Sequence, residues 1–95
     1  MTEKEIERRM RELVRSRRGL FYKFTSTANP GVPDRVVITP GGEVWFVELK
    51  TAAGRLSKIQ KHKFTEMQKY GANVRVVYGW DEARSFVEEV LPDGI

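Results

Sequence analysis

Apolar residues near the N-terminus recur at the spacing of a helix, and this pattern predicts the first element of the chain. The apolar stripe, with members three or four positions apart, consists of Ile6, Met10, Leu13 and Val14. Because residues at this spacing lie on one side of a helix, the segment from Thr2 to about Arg18 is expected to form an amphipathic helix with one buried face. Thr2 and Glu5 have the spacing of a capping box at its start, and Gly19 is expected to end it.

Further along the chain, short apolar runs bounded by turn residues predict four strands. The runs cover residues 20–24, 35–39, 43–50 and 73–78. Ser57 and Gln60 predict the start of a second helix that ends at Gly71. Its inward-facing side chains are expected to be Ile59, Phe64, Met67 and Tyr70. A last helix is expected over residues 80–90, and the order α-β-β-β-α-β-α then predicts an α/β fold with a single small mixed sheet flanked by helices.

The composition fits one folded domain and excludes several kinds of site. With 95 residues, 40% of them hydrophobic, the chain has room for one domain, predicted to span residues 1–95. The absence of cysteine excludes thiolate metal sites, and the single histidine excludes a multi-histidine site. No apolar run approaches the roughly 18 residues that a membrane helix needs. We therefore expect a cytoplasmic protein with no membrane partner.

The net charge of +4 and its distribution favour a polyanionic partner. The segment from Lys50 to Lys63 contains five basic residues and no acidic one. A solvated basic surface would have the same composition, so charge alone favours nucleic acid without establishing it.

Charged residues stand at the ends of two predicted neighbouring strands. Asp34 precedes the second strand, while Glu48 and Lys50, two residues apart at the end of the third, point to the same face. If residues 40–42 form a three-residue hairpin loop, Asp34 lies opposite Glu48 with the Cβ atoms about 5 Å apart. A two-residue Gly-Gly turn would place the carboxylates on opposite faces. In the first register the pair can hold a divalent cation through oxygen ligands, although a turn aspartate and a solvated strand end would explain the same residues.

Four further residues are candidates for roles near this site. Glu3 and Glu7 lie one turn apart on the flank of the apolar stripe of the first helix, where either could reach the sheet. Gln60 fits a local role in its capping box, but a helix N-terminus also attracts anions, so Gln60 could instead face the cation site or a phosphate. His62 lies among lysines, which favours a phosphate contact or a plain surface position over a catalytic base.

The order and spacing of these residues resemble the stand-alone VRR-NUC nucleases of the PD-(D/E)xK superfamily, found largely in phages and bacteria. The matching elements are the N-terminal glutamate helix, Tyr22-Lys23-Phe24, Gly31-Val32-Pro33-Asp34-Arg35, Val47-Glu48-Leu49-Lys50 and Leu56-Ser57-x-x-Gln60. The resemblance covers nearly the whole chain. It implies a restriction-endonuclease-like PD-(D/E)xK core for the fold.

The resemblance also implies roles for the site residues. It implies an Mg²⁺ or Mn²⁺ ion held by Asp34, Glu48 and the backbone carbonyl of Leu49. Lys50 matches the catalytic lysine of the family, and Gln60 matches its motif glutamine. The family further implies a helix glutamate that touches the metal directly or through water, and its spacing to the end of the helix favours Glu7, with Glu3 as second choice.

From the charge and the resemblance we expect a metal-dependent, structure-specific DNA endonuclease with no small-molecule cofactor. Similarity to Holliday-junction resolvases implies branched DNA as the substrate and a homodimer as the working unit. The residues expected to contact DNA are Lys23, Arg35, Arg55, Lys58, Lys61, His62 and Lys63. Two other interpretations stay open at this point, a non-catalytic nucleic-acid-binding module with a structural Asp/Glu/Lys cluster and a protein-interaction domain.

Overall fold

Residues 1–93, which the computed structural model describes, form three helices and a four-stranded sheet. The elements are α1 (Glu3–Ser16), β1 (Leu20–Lys23), β2 (Arg35–Ile38), β3 (Val44–Lys50), α2 (Lys58–Lys69), β4 (Asn73–Tyr78) and α3 (Gly79–Val90). The order is the predicted one, and each boundary lies within two residues of its predicted position. The last two positions of the predicted domain, 94 and 95, lie outside the described residues.

The sheet has the strand order β1-β2-β3-β4. The pairs β1/β2 and β2/β3 are antiparallel, whereas β3/β4 is parallel and its strands are connected through α2. A parallel pair needs such a crossover because the chain must return to the same end of the sheet. The predicted mixed sheet flanked by helices is therefore confirmed. Within residues 1–93 no helix is long and apolar enough to cross a membrane.

The hydrophobic core lies between one face of the sheet and the helices α1 and α3. Met10 of α1, Val47 of β3 and Phe86 of α3 are among its fully buried side chains. Burying a side chain of this kind stabilises the fold by about 2 kcal/mol relative to exposure. Helix α2 packs against β4 on the opposite face, where Phe64 is buried. One face of the sheet is thus covered by α1 and α3, and the other by α2 alone.

Helix α2 buries a narrower stripe than its sequence predicts. Phe64 is buried and Met67 half-buried, but Ile59 and Tyr70 are 47% and 89% exposed. The expectation that these two residues face inward is wrong. Because α2 packs mainly on the edge strand β4, only one line of its side chains reaches the sheet.

Helix α1 ends two residues earlier than predicted, and Gly19 closes it as expected, its N–H donating to the carbonyl oxygen of Val14 at 2.9 Å. Arg17 is the C-cap, and Arg18 takes the left-handed conformation, with a φ of 66°. Gly19 is required for space, because a Cβ atom there would lie 2.8 Å from side-chain carbons of both Val14 and Leu91. The missing side chain of Gly19 therefore leaves the space in which Leu91 packs against the core.

The β2–β3 hairpin adopts the three-residue register. Gly42 has a φ of 88°, as a three-residue loop with a left-handed glycine requires. Arg35 pairs with Val47 at the end of the ladder. One step further along the same register, Asp34 is aligned with Glu48. The alternative two-residue turn, which would separate the carboxylates, is not formed.

The loop that leads into Asp34 rests on the first turn of α2. Gly31 has a φ of 89°, and a Cβ atom there would lie 2.9 Å from the carbonyl oxygen of Ile59. Both the left-handed conformation and the close approach of two backbones require glycine. This contact fixes the position of the Asp34 loop relative to α2.

Replacing Gly31 with alanine should destabilise the fold more than the same change at Gly71. Gly71 has the same φ of 89° but open space around its Cα, so Gly71→Ala should lose only about 1–2 kcal/mol for the left-handed backbone. Gly31→Ala must in addition displace the Ile59 backbone. Urea denaturation of both variants measures the difference. Equal losses of unfolding free energy would mean that the contact between the two backbones imposes no constraint.

Candidate active site

Glu48 is a buried carboxylate near the end of β3. It is 5% exposed and lies between the core residues Val47 and Leu49. Because side chains alternate along a strand, Val47 and Leu49 enter the core while Glu48 points to the face that carries α2. Burial raises the pKa of Glu48 above its ordinary value, and the negative charge of Asp34 raises it further, whereas Lys50 lowers it. Ionised Glu48 is therefore held at a cost in free energy that a neighbouring cation would reduce.

Two donors hold one oxygen of Glu48 in place. The Nζ of Lys50 and the Nε2 of Gln60 both lie 3.3 Å from its Oε2. The same Gln60 side chain accepts a hydrogen bond from the backbone N–H of Ser57 through its Oε1, at 3.0 Å, and so completes the capping box of α2. Gln60 therefore both caps α2 and contacts the carboxylate of the candidate site, the two roles that the sequence left open as alternatives.

Asp34 is held firmly through one carboxylate oxygen and through its backbone. Its carbonyl accepts a hydrogen bond from the N–H of Phe24 at 2.9 Å. The Nη1 of Arg35 lies 2.9 Å from Oδ2 and 3.0 Å from the carbonyl oxygen of Asp34. The other oxygen, Oδ1, is buried and has no hydrogen-bond partner among the described residues. Leaving a buried carboxylate oxygen unpaired is unfavourable, and a bound cation or hydrogen-bond donor would remove this cost.

The donor set of Asp34 and Glu48 fits a hard divalent cation. Both offer carboxylate oxygens, and the resemblance adds the backbone carbonyl of Leu49, the residue after Glu48, as an expected ligand. Residues 1–93 contain no group of three or more His, Cys, Asp or Glu side chains placed to hold a metal ion. The remaining ligands would then be carbonyl oxygen and water. This suits Mg²⁺ or Mn²⁺, since Mg²⁺ keeps several waters, and it does not suit Zn²⁺, which takes at least three protein ligands.

The structure separates the two candidate glutamates of α1. Glu7 forms an ion pair with Arg35 and a longer one, at 3.4 Å, with Arg11. Burial raises the pKa of Glu7, but the hydrogen bond and charge of Arg35 outweigh this, and the net shift is downward. Glu3, by contrast, is exposed, and its negative charge is among those that raise the pKa of Glu48. The carboxylate of Glu7, the first choice as the helix carboxylate of the site, is thus engaged by two arginines, while that of Glu3, the second choice, is exposed.

The residues predicted to contact DNA differ in their exposure. The exposed ones are Lys23, Arg55, Lys58, Lys61 and His62. Lys63 is half-buried and pairs with Glu66 at 3.0 Å. Arg35 is only 7% exposed and its guanidinium is bonded within the protein, so it is not available to DNA and that prediction is corrected.

Sequence reasoning missed the internal role of Arg35, although the sequence contained the signal. Arg35 shares its face of β2 with Val37, which is fully buried in the core between the sheet and the two helices. An arginine on that face needs an acidic partner from a covering helix. Glu7, on the flank of the apolar stripe of α1, is such a partner.

A groove of about 550 Å³ adjoins the end of β3 that carries Lys50. Arg55 and Lys61 line it from the loop and from α2, and Tyr78 lines it from β4. The loop lies close to the site, since a Cβ atom on Gly54 would be 3.0 Å from the Cβ of Lys50. Two basic side chains thus line a groove beside the end of β3 that carries Lys50.

Comparisons with known proteins agree with this architecture and define the family. The model of the VRR-NUC domain family matches residues 2–81. A protein named "Putative nuclease p44", from Acyrthosiphon pisum secondary endosymbiont phage 1, is 34% identical over 79 residues, which are 83% of this chain and 85% of the phage protein. A solved structure described as a VRR_NUC domain superposes with a TM-score of 0.83 at 30% identity, covering 90% of this chain and 94% of the other.

Together with the fold, these comparisons identify the chain as a nuclease of the PD-(D/E)xK type. More narrowly, the chain belongs to the VRR-NUC domain family, whose model matches most of its length. The predicted family and the predicted restriction-endonuclease-like fold are confirmed.

Substituting Glu48 by glutamine should raise the stability of the metal-free protein at neutral pH. Because the pKa of Glu48 is raised in the folded state, its ionised form opposes folding above that pKa, and the penalty fades as the pH falls through the folded pKa toward the ordinary value. The advantage of Glu48→Gln over the wild type should therefore shrink on acidification. Urea denaturation with a chelator present, at neutral and acidic pH, tests this. A variant less stable than the wild type throughout would show that the bonds to Lys50 and Gln60 outweigh the burial of charge.

Proposed function

We propose that this nuclease is a metal-dependent DNA endonuclease that hydrolyses phosphodiester bonds and prefers branched DNA such as Holliday junctions. The observation that carries the proposal is the buried Oδ1 of Asp34, which lacks a partner among the described residues and lies beside the buried carboxylate of Glu48. Burial and the charge of Asp34 raise the pKa of Glu48, and a cation bound between the two carboxylates would offset both effects.

Asp34, Glu48 and the carbonyl of Leu49 would hold one Mg²⁺ or Mn²⁺ ion, with Glu3 reaching its waters. A bound divalent cation of this kind supplies the positive charge that activates water and neutralises the scissile phosphate. Glu48 is fixed for this task by Lys50 and Gln60, so its orientation is set before DNA binds.

Lys50 would contact the reacting phosphate. Its side chain is 20% exposed and its Nζ lies 3.3 Å from Oε2 of Glu48, so the ammonium group contacts the carboxylate and is still accessible to solvent. There it would orient the attacking water and stabilise the negative charge that develops on the phosphate. Gln60, tied to both the α2 cap and Glu48, would keep the end of α2 aligned with the site.

The exposed basic residues would bind the sugar–phosphate backbone. Arg55 and Lys61 line the groove beside Lys50, and Lys58 and His62 are exposed in the first turns of α2. Such contacts neutralise phosphates without reading bases, which favours recognition of DNA structure over sequence. Because the substrate is DNA, we place the activity in the cytoplasm, that of a bacterial host if the protein is phage-encoded.

A homodimer would suit a branched substrate. A four-way junction has two-fold symmetry, so two copies related by a two-fold axis could present two active sites to it. Leu20 of β1, Tyr22 of β1 and Val44 of β3 are exposed on the same face of the sheet, 46%, 52% and 39% respectively. Burial of these side chains against a second copy would remove apolar surface from water.

Lys50→Ala should abolish cleavage and leave DNA binding nearly unchanged. The loss of a charge that acts in the transition state should lower the rate by about 100-fold or more, whereas one lysine contributes little to a large electrostatic interface. Cleavage assays with Mg²⁺ or Mn²⁺, together with binding measurements in the presence of Ca²⁺, separate the two effects. Lys69→Ala, at an exposed lysine at the far end of α2, is the matched control.

The same assay distinguishes a nuclease site from a structural ion pair. Asp34→Ala should remove both cleavage and the binding of Mn²⁺ measured by calorimetry. If the wild type binds no divalent cation, or if Lys50→Ala weakens DNA binding as strongly as cleavage, the catalytic assignment is wrong.

The protein should be a homodimer that cuts four-way junctions in preference to linear duplex. Light scattering at micromolar concentration gives the oligomeric state, and parallel digests of junction, flap, splayed and linear DNA give the preference. Leu20→Lys should favour the monomer, because it places charge on the exposed apolar face, and binding should weaken steeply with salt. A wild-type monomer that cuts linear duplex as well as a junction would contradict the junction proposal but would leave the nuclease intact.

A further inference from the structure

Arg35 connects the candidate metal site to helix α1 through the interior of the protein. It lies at the start of β2, next to Asp34, with its side chain on the core face of the sheet. Its Nη1 contacts both Oδ2 and the carbonyl oxygen of Asp34, at 2.9 and 3.0 Å, and its Nη2 contacts Oε2 of Glu7. One buried guanidinium thus joins a carboxylate of the site to a carboxylate of the helix.

We propose that Arg35 is a positioning residue for Asp34, and that Glu7 is the counter-charge of Arg35 and not a ligand of the cation. The proposal rests on the metal-dependent function proposed above. In this proposal Arg35 and Glu7 affect cation binding only through the position and charge of Asp34.

The geometry of Arg35 determines which oxygen of Asp34 is free. The planar guanidinium binds the side chain and the backbone of the same residue, so it fixes both the position and the rotation of the carboxylate. Oδ2 is occupied by this contact. Oδ1 is left buried and without a partner in residues 1–93, as the single oxygen of Asp34 available to a cation.

The charge of Glu7 keeps Arg35 from neutralising Asp34. Arg35 alone would cancel the charge of Asp34 and weaken its attraction for a cation. With Glu7 included, the three groups carry a net charge of −1, and Asp34 retains its attraction. Glu7 is well placed for this and poorly placed as a ligand, since its side chain is 16% exposed and its oxygens are engaged by Arg35 and Arg11.

Metal affinity without DNA provides the test, because it does not depend on cleavage. Mn²⁺ binding is measured by calorimetry and by the electron paramagnetic resonance of the free ion, for the wild type, Arg35→Met, Arg35→Lys and Glu7→Gln. Residues that orient metal ligands typically contribute 10–100-fold to affinity, so each variant should bind Mn²⁺ at least about 10-fold more weakly. Arg35→Lys retains the charge in case Arg35→Met fails to fold. Since one ammonium group cannot span both carboxylates, its affinity should be reduced as well.

The double variant separates a counter-charge from a ligand. If Glu7 acts only through Arg35, adding Glu7→Gln to Arg35→Met should cause no further loss of Mn²⁺ affinity, whereas adding it to Arg35→Lys, which keeps a positive charge to be balanced, should cause a further loss. If Glu7 were a ligand, Glu7→Gln would weaken binding by the same factor in both backgrounds, and this outcome would overturn the proposal.

A second Arg–Glu pair in the molecule controls for the loss of an ion pair as such. Arg75 and Glu89 form two hydrogen bonds, at 2.9 and 3.1 Å, between β4 and α3, away from the carboxylates. Arg75→Met should leave Mn²⁺ affinity unchanged. Arg35 variants that fold and bind Mn²⁺ as tightly as the wild type, while Asp34→Ala does not bind it, would overturn this inference alone. A wild type that binds no Mn²⁺ would overturn the metal-dependent function and this inference with it.

Discussion

Because side chains alternate across a strand, the loop of residues 40–42 decides which side chains meet on each face of β2 and β3. The left-handed Gly42 sets a register in which Asp34 is aligned with Glu48 and Arg35 with Val47. A shift of one residue would move Asp34 away from Glu48. The hairpin loop, far from the site in space, therefore determines whether the carboxylates can act together.

The site is built from charges that would not stay together without compensation. Burial, and after it the charge of Asp34, raises the pKa of Glu48, so the ionised carboxylate is unfavourable in the protein alone. Lys50, Gln60 and Arg35 offset part of this through direct contacts. The rest of the stabilisation comes from the apolar core on the other face of the sheet. The burial of apolar side chains there offsets the cost of the buried charges at the site.

The sequence predicted the features of the molecule that depend on local spacing. The helical stripe of α1, the order of helices and strands along the chain and the hairpin register follow from periods of 3.6 and 2 and from turn chemistry, and the structure agrees with them. Features that depend on how elements dock were predicted less well. Tyr70 and Ile59 fit a helical stripe but are exposed, because α2 rests mainly on one edge strand.

The same distinction applies to the site. Asp34 and Glu48 could be brought together by counting residues along two strands, since the register is a local property. The partner of Glu7 could not be predicted in this way, because it depends on the rotation of α1 over the sheet. An uncertainty of one residue in a helix turns a side chain by about 100°. The structure resolves this by pairing Glu7 with the buried Arg35.

A capping box accepts either glutamate or glutamine at its third position, because both offer an oxygen to the N-cap backbone. At the third position of α2, residue 60, only glutamine fits. Gln60 accepts from Ser57 with its oxygen and donates to Glu48 with its nitrogen, and only an amide can do both from one side chain. A glutamate there would still cap the helix but would set a third carboxylate against Glu48. The carboxylate of Glu48 thus restricts a residue that, by the rules of helix formation alone, could be exchanged freely.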